Sequence, residues 1–190
     1  LNCNAMGYKL WEACGEPDPK LAKARGDPSL ADRTEAAFTK LASECPEKEV
    51  LHRDSDGYTV LMEMVRNYDW PEGANEVLGR GLDVDATTIW STTALHSCAA
   101  WNRKKTAIVL LERGADRTIK SNQGGTASDT ARNNGHAFLA ELIDNYKPKP
   151  GSVAAVAQAR RDAEAKRRAA ALGLVNGGRC AQCAADCVVS

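Results

Sequence analysis

The chain has 190 residues, enough for one domain with a sizeable core and a tail, but too few for two large domains. Its 25 basic residues balance 25 acidic residues, so no overall field attracts nucleic acid or an anionic membrane. No apolar run approaches the roughly 20 residues that span a bilayer, and no signal-peptide pattern opens the chain. We therefore expect no nucleic-acid partner and no membrane span.

The number and spacing of the cysteines indicate the redox state of the compartment. Seven cysteines are an odd number, and four of them are scattered singly: Cys3, Cys14, Cys45 and Cys98. This spacing favours reduced thiols over a disulfide framework. We expect an intracellular soluble protein in a reducing compartment, either the cytoplasm or the interior of an organelle, and not a secreted one. Because it begins with Leu1, we also expect the chain to be processed or truncated.

The first 53 residues show the weakest pattern. Residues 7–14 predict a short helix, and the Gly and Pro residues of 15–28 predict a loop. A second helix is predicted from about 29 to 45, where Pro46 ends it. We interpret residues 1–53 as a degenerate N-terminal capping repeat with a loop insertion.

The middle of the chain repeats with a period of about 33 residues. Thr59, Thr93 and Thr126 lie 34 and 33 residues apart, and each suits a helix N-cap. The segment that begins at Arg80 with Arg-Gly-Leu-Asp returns 33 residues later, from Arg113, as Arg-Gly-Ala-Asp. A fixed period of this length predicts a solenoid of helix pairs.

Each unit carries apolar residues at helical spacing, which predicts the sides that face the core. The predicted core positions are Leu61, Met64, Val65, Ala74, Val77, Leu78, Leu95, Cys98, Ala99, Ala107, Leu110, Leu111, Ala127, Ala131, Phe138, Leu139, Leu142 and Ile143. Glycines 81 and 114 are expected to end the second helix of their units in the left-handed conformation. The first unit is one residue longer between its landmarks, so we expect a one-residue insertion near Asp69 and Trp70.

These motifs resemble the ankyrin repeat. The resemblance rests on three segments: Asp-x-x-Gly-x-Thr-x-Leu at the start of a unit, Thr93-Ala94-Leu95-His96, and Leu-Leu-x-x-Gly-Ala-Asp at 110–116. The resemblance covers residues 54–146 and implies an all-α, ankyrin-type helical solenoid of about three to four repeats, with an extra C-terminal helix. Departures occur at Val60, Met62 and Ala94, and Trp90-Ser91 stands where Asp-Gly is usual in the family.

The resemblance also implies a non-catalytic protein-binding module, so we expect no enzyme, no cofactor and no small-molecule substrate. His96 invites a catalytic interpretation, but in this motif we expect the imidazole to bond between turns and repeats. His136 receives the same structural interpretation. No phosphate-binding glycine loop, nucleophile elbow or paired-acid motif is present in the sequence.

Repeat geometry predicts which residues contact a partner protein. Inner-helix positions that face away from the core include Glu63, Arg66 and Asn67, then Ser97, Ala100 and Trp101, then Thr130, Asn133 and Asn134. The projecting loops offer Asp85, Thr87, Thr88, Trp90, Lys120 and Asn122. Trp90 and Trp101 are the strongest candidates, because tryptophan often dominates the energetics of an interface. The alternative is that one of them packs under a neighbouring loop.

Residues 147–190 form a linker, a basic Ala-rich helix at about 152–172, and a cysteine-containing tail. The helix is either solvated or docked on the end of the solenoid or on another subunit. Cys180, Cys183 and Cys187 include a Cys-x-x-Cys spacing that suits zinc, but a closed structural site needs four ligands. The tail resembles the first knuckle of a MYND-type zinc finger, cut short. The cysteines are also compatible with plain packing, disorder or redox chemistry.

The function predicted from the sequence is a scaffold or a peripheral subunit of a larger assembly, with one or more proteins as partners. The alternative is an ankyrin plus zinc-finger adaptor or regulator.

Overall fold

The computed structural model describes Leu10 and residues 35–171, and this part of the chain is helical with no strand. The helices are α1 (Glu35–Glu44), α2 (Glu47–Val50), α3 (Val60–Asn67), α4 (Pro71–Gly79), α5 (Ala94–Trp101), α6 (Lys104–Glu112), α7 (Ala127–Asn133), α8 (Ala137–Asn145) and α9 (Val153–Ala171). Within these residues, no helix combines the length and apolar content that crossing a membrane requires.

The three threonines cap their helices as predicted. The hydroxyl oxygens of Thr59, Thr93 and Thr126 accept hydrogen bonds from backbone amides three residues later, at 3.3, 3.4 and 3.3 Å. In the second and third units the side chains of His96 and Asp129 accept in return from the backbone amide of the capping threonine. These reciprocal bonds fix the first turns of α5 and α7.

The predicted helix ends and the predicted insertion are confirmed. Gly81 and Gly114 take φ values of 92° and 91° directly after the last turn of α4 and α6. Three residues (68–70) separate α3 from α4, whereas two residues (102–103) separate α5 from α6. Pro71 occupies the first position of α4, where its missing amide hydrogen costs nothing.

The helix pairs stack in chain order. The inner helices α3, α5 and α7 pack side by side, and the outer helices α1, α4, α6 and α8 form a second row. One apolar core runs between the rows and includes every predicted core position except Phe138, with Leu142 at its margin. Because α1 continues the outer row, it lies where the outer helix of an opening unit belongs. The first helix predicted for that unit lies outside the described residues, apart from the buried Leu10.

The prediction for Phe138 is wrong. It was placed in the core with Leu139, but its side chain is 63% exposed at the start of α8. Lys104 Nζ lies 4.8 Å from the centre of its ring. Phe138 borders the buried stripe, and the corresponding second residues of α4 and α6, Glu72 and Lys105, are exposed as well.

Polar bonds between neighbouring units add to the apolar stacking. Arg103 donates to the Val65 and Arg66 carbonyls of the preceding unit, both at 2.9 Å. The carboxylate of Asp69, in the inserted loop, accepts at 2.9 Å from both the amide and the hydroxyl of Thr106, near the start of α6. Because the N-cap residue of α6 makes no side-chain cap, Asp69 supplies that cap from another unit.

The loop before α5 keeps its turn despite the unusual Trp90-Ser91 pair. Ser91 adopts φ 56°, close to the left-handed values of Gly57 and Gly124 at the corresponding positions of the other units. Its hydroxyl donates to the side-chain oxygen of Asn122 at 2.8 Å. Ser91 in place of glycine therefore leaves the turn intact and adds a side-chain bond.

The C-terminal helix α9 is docked by its first half and exposed along its second half. Ala154 is buried, and α9 contacts the outer helix α6. Arg161 donates to the Gly114 carbonyl at 2.9 Å and lies 3.8 Å from the carboxylates of Asp85 and Asp116. Residues 162–168 are exposed. The second half is therefore solvated, as one interpretation predicts. The first half is docked, but on α6 of the second unit and not on the end of the solenoid.

Candidate functional site

A groove of ≈ 500 Å³ opens along the inner helices and the adjoining loops of the three units. Its lining draws on α3, α5 and α7 and on the loops that precede α5 and α7. The lining residues that matter here are Tyr58, Met62, Arg66, Trp90, Trp101 and Asn134. Eight of the fifteen residues predicted to contact a partner therefore line one concavity: Arg66, Trp90, Ser97, Ala100, Trp101, Asn122, Thr130 and Asn134.

Trp90 is held at the groove by its loop and by one aromatic neighbour. Its ring centre lies 5.9 Å from that of Tyr58, with the planes tilted by 58°. The backbone of Trp90 is fixed on both sides, because its amide donates to the Thr88 hydroxyl and its carbonyl accepts from the Asn122 amide. The indole is nonetheless 44% exposed. The loop thus presents a positioned but half-covered aromatic surface.

Trp101 faces the same groove from the end of α5. It is 52% exposed and is followed by Asn102, whose left-handed backbone ends the helix. Arg66 lies in the last turn of α3, and its side chain is exposed. The floor between these residues includes the buried Met62 and the partly buried Ala100. The groove therefore combines two accessible indoles with one guanidinium.

His96 lines the groove but is committed to structural bonds. Its Nδ1 atom lies 2.9 Å from the Thr93 hydroxyl, and its Nε2 atom lies 3.3 Å from the Gly125 carbonyl of the next unit. Burial lowers the pKa of His96 from its usual 6.5, which the Gly125 bond partly opposes. The predicted bonding between repeats is confirmed. His136 does the same one unit later, since its Nε2 atom lies 3.3 Å from the Ala100 carbonyl.

Some predicted contact residues have other tasks. Asn122 donates from its side chain to the Ile89 carbonyl at 3.1 Å and accepts from Ser91, so it ties two loops together. Thr88 is buried and bonds to Thr92, and Asp85 accepts from the Asp116 amide beneath α9. Neither Thr88 nor Asp85 therefore offers the open loop surface that the sequence predicted.

Five predicted contact residues do not line the groove and have no structural task described above. Thr87 and Asn133 are exposed. Glu63 and Asn67 are partly buried on α3, and their side chains are hydrogen-bonded to each other at 3.4 Å. Lys120 is exposed next to Ser121, a lining residue. Their role in binding stays a prediction. The sequence analysis missed Tyr58, although its place one residue before the capping Thr59 puts it in the loop row that also presents Trp90.

The predicted zinc ligands Cys180, Cys183 and Cys187 lie outside the described residues. Within residues 35–171, no three His, Cys, Asp or Glu side chains gather as metal ligands would. Cys98 is fully buried in α5, and burial raises the pKa of its thiol well above the usual value. That environment suits the packing role predicted for Cys98.

Comparison with known proteins identifies two distant relatives. Over 95 residues, half of this chain, it is 33% identical to the human protein "SH3 and multiple ankyrin repeat domains protein 2". Over 137 residues, 68% of this chain, it is 28% identical to the human "BCL-6 corepressor-like protein 1". The chain spans only 5% and 8% of the lengths of these proteins. No family model matches the chain.

Proposed function

We propose that the chain is an ankyrin-type solenoid that binds another protein through the groove and catalyses no reaction. The observation that carries the proposal is the meeting of Trp90 and Trp101, two half-exposed indoles from different elements, in one concavity. Exposed tryptophan is costly to leave in water, and buried tryptophan is frequent among the residues that dominate interfaces. Supporting evidence comes from the repeat motifs, from the stacked helix pairs, and from the name of one relative, which mentions multiple ankyrin repeats.

The rigidity of the groove supports the same function. The loops and helices that line it are tied together by bonds between units, including those of His96, His136 and Asn122. A preformed surface loses little conformational entropy when it binds. A rigid surface assembled from stacked units is what a scaffold, or a peripheral subunit of a larger assembly, requires.

The test uses peptides selected from a random display library against the intact chain. Binders are then measured against Trp90→Ala and Trp101→Ala, and we expect each variant to lose about tenfold or more in affinity, the loss typical of an interface hot spot. Phe138→Ala is the matched control, because Phe138 is an exposed aromatic residue that does not line this groove. Binders that tolerate both tryptophan variants as well as they tolerate the control would contradict the proposal.

An assembly subunit and an adaptor differ in how they purify. A permanent subunit co-purifies in fixed stoichiometry with its partners, whereas an adaptor with transient partners purifies as a monomer. Isolation of the endogenous protein at low salt, followed by mass measurement of the intact particle, separates the two.

The second candidate is a zinc-containing adaptor or regulator, which the Cys-x-x-Cys spacing of Cys180 and Cys183 favours. In that case a thiol-reactive reagent releases zinc from the purified chain, and Cys183→Ser lowers the zinc content. A zinc-to-protein ratio near zero by elemental analysis of chain purified without chelators would eliminate this candidate.

A further inference from the structure

The charge of the groove is one-sided. Arg66 is the only residue with a full formal charge among its described lining residues, and no Asp or Glu is among them. A second cation is close, because the Arg103 guanidinium donates to the Arg66 carbonyl. The nearest acidic residue along the helix, Glu63, is bonded to Asn67 and forms no ion pair with Arg66. The groove therefore has a positive end that its own lining does not neutralise.

Arg66 also differs from other arginines of the repeats. Five of these donate to a group on another helix: Arg80 to the Ala42 carbonyl, Arg103 to the Val65 carbonyl, Arg113 to Asn75, Arg117 to the Ile143 carbonyl, and Arg132 to Asp144. No group of the described residues accepts from the Arg66 guanidinium. A guanidinium has five donors arranged to hold a carboxylate at two points. Arg66 keeps that capacity on the open side of α3.

The rest of the lining suits a short, extended stretch of polypeptide. A volume of ≈ 500 Å³ holds a few side chains and not a folded domain. The indoles of Trp90 and Trp101 offer apolar surface to a bulky side chain, and Met62 and Tyr58 extend that surface. Uncharged polar side chains such as Ser97 and Asn134 also line the groove and can bond to the backbone of an extended segment.

We propose that the groove binds an acidic peptide segment of a partner protein, in which a carboxylate side chain pairs with Arg66 and a neighbouring bulky apolar side chain lies against Trp90 and Trp101. The inference rests on the proposed function and adds to it the chemical class of the ligand. A protein segment is favoured over single-stranded nucleic acid, because one arginine does not provide the row of positive charges that tracks a phosphate backbone. The zero net charge of the chain agrees with this choice.

The experiment measures the affinity of the intact chain for three fluorescein-labelled peptides by fluorescence anisotropy. They share a central Leu-Phe pair and differ only in their flanking residues, which are Glu, Gln or Lys. We expect the Glu peptide to bind about three- to tenfold tighter than the Gln peptide, as for one partly solvated charge pair, and the Lys peptide to bind weakest. At about 1 M salt, where the Debye length is only about 3 Å, the difference should largely disappear.

Substitutions assign this preference to Arg66. Arg66→Gln should equalise the Glu and Gln peptides, and Arg66→Glu should make the Lys peptide the tightest binder. Arg167→Glu, on the exposed half of α9, makes the same charge change away from the groove and should keep the original order. Circular dichroism checks that every variant is folded.

Each outcome decides the matter. Equal binding of the Glu and Gln peptides, or an order unchanged by Arg66→Glu, overturns the inference, while the proposed function stands if Trp90→Ala and Trp101→Ala still weaken binding about tenfold or more. No binding of any of the three peptides overturns the inference alone, because the proposed function is tested with library-selected binders. An oligothymidylate probe that binds more tightly than every peptide, and loses affinity in Arg66→Glu, overturns the inference in favour of a nucleic acid.

Discussion

Gly81 and Gly114 provide a matched pair of substitutions that measures how firmly α9 is docked. Both follow an outer helix with nearly the same φ, 92° and 91°, and both amides donate to a carbonyl three residues earlier, at 3.2 and 3.1 Å. They differ in their surroundings. A Cβ atom at Gly114 would lie 2.9 Å from the Cβ atom of Ala157, whereas one at Gly81 would have no neighbour within 4 Å.

The magnitudes follow from this difference. Gly81→Ala should cost about 1–2 kcal/mol, because an L-residue is strained in the left-handed conformation. Gly114→Ala carries the same cost plus a packing conflict, and overpacking typically costs about 1–3 kcal/mol. Since α9 can relieve the conflict by moving away, the added cost cannot exceed the docking free energy of α9. With Ala154 buried and Arg161 only loosely paired, that ceiling is about 2 kcal/mol.

The assay is urea unfolding of both variants by circular dichroism, together with amide hydrogen exchange of α9. We expect Gly114→Ala to unfold at lower urea than Gly81→Ala and to lose protection along residues 153–161. Deletion of residues 151–190 should remove the difference between the two variants. Equal free energies of unfolding in the full chain, with α9 equally protected in both, would refute the docked position of the helix.

Three further perturbations test other contacts. Asp69→Ala removes the cap of α6 and leaves the buried Thr106 hydroxyl without its acceptor, so the free energy of unfolding should fall by about 2 kcal/mol. In a double-mutant cycle, the same substitution should cost less when Thr106 is already replaced by Val. Because the pKa of His96 is lower in the folded chain, the unfolded chain binds the proton more strongly. The contribution of His96 to the free energy of unfolding should therefore be complete above the usual pKa of 6.5 and should decrease as the pH falls below it. Chemical denaturation of His96→Asn across that range should show a weaker pH dependence. Arg161→Ala should release α9, seen as faster hydrogen exchange, while changing the overall stability by less than about 1 kcal/mol, because its ion pairs are long and partly solvated.

The sequence was sufficient to predict the capped starts of α3, α5 and α7, the ends of α4 and α6, and the insertion, because these depend on local chemistry. A threonine hydroxyl can cap only the helix that follows it, and a glycine after the last turn relieves strain in its own backbone, so Thr93 and Gly114 mark their elements wherever these pack. The extra residue near Asp69 followed from comparing two spacings. Its role as a cap for α6 could not be predicted, because it depends on how neighbouring units are aligned in space.

Two other features escaped prediction. Phe138 has helical spacing at the margin of the buried stripe, yet it occupies the position that Glu72 and Lys105 hold in the preceding units, and all three are exposed. The docking of α9 depends on Arg161 reaching a carbonyl 47 residues earlier in the chain. A periodic pattern specifies the side of a helix that is apolar, but it does not specify which neighbour is present to cover that side.

The groove could be predicted in part, because comparing the units shows which positions keep the same residue for the fold and which positions vary. Corresponding positions keep the capping threonine in all three units, whereas the positions of Trp90 and Trp101 hold Asp56 and Asn67 in the preceding unit. Where a residue differs from those at the corresponding positions of the other units, and the turn and the stacking are still formed, the fold does not require that residue type. The two tryptophans meet this condition and lie in one groove, and Arg66, which is replaced by Ala100 one unit later, meets it as well. In a solenoid, recognition is therefore best sought where well-formed units differ from one another.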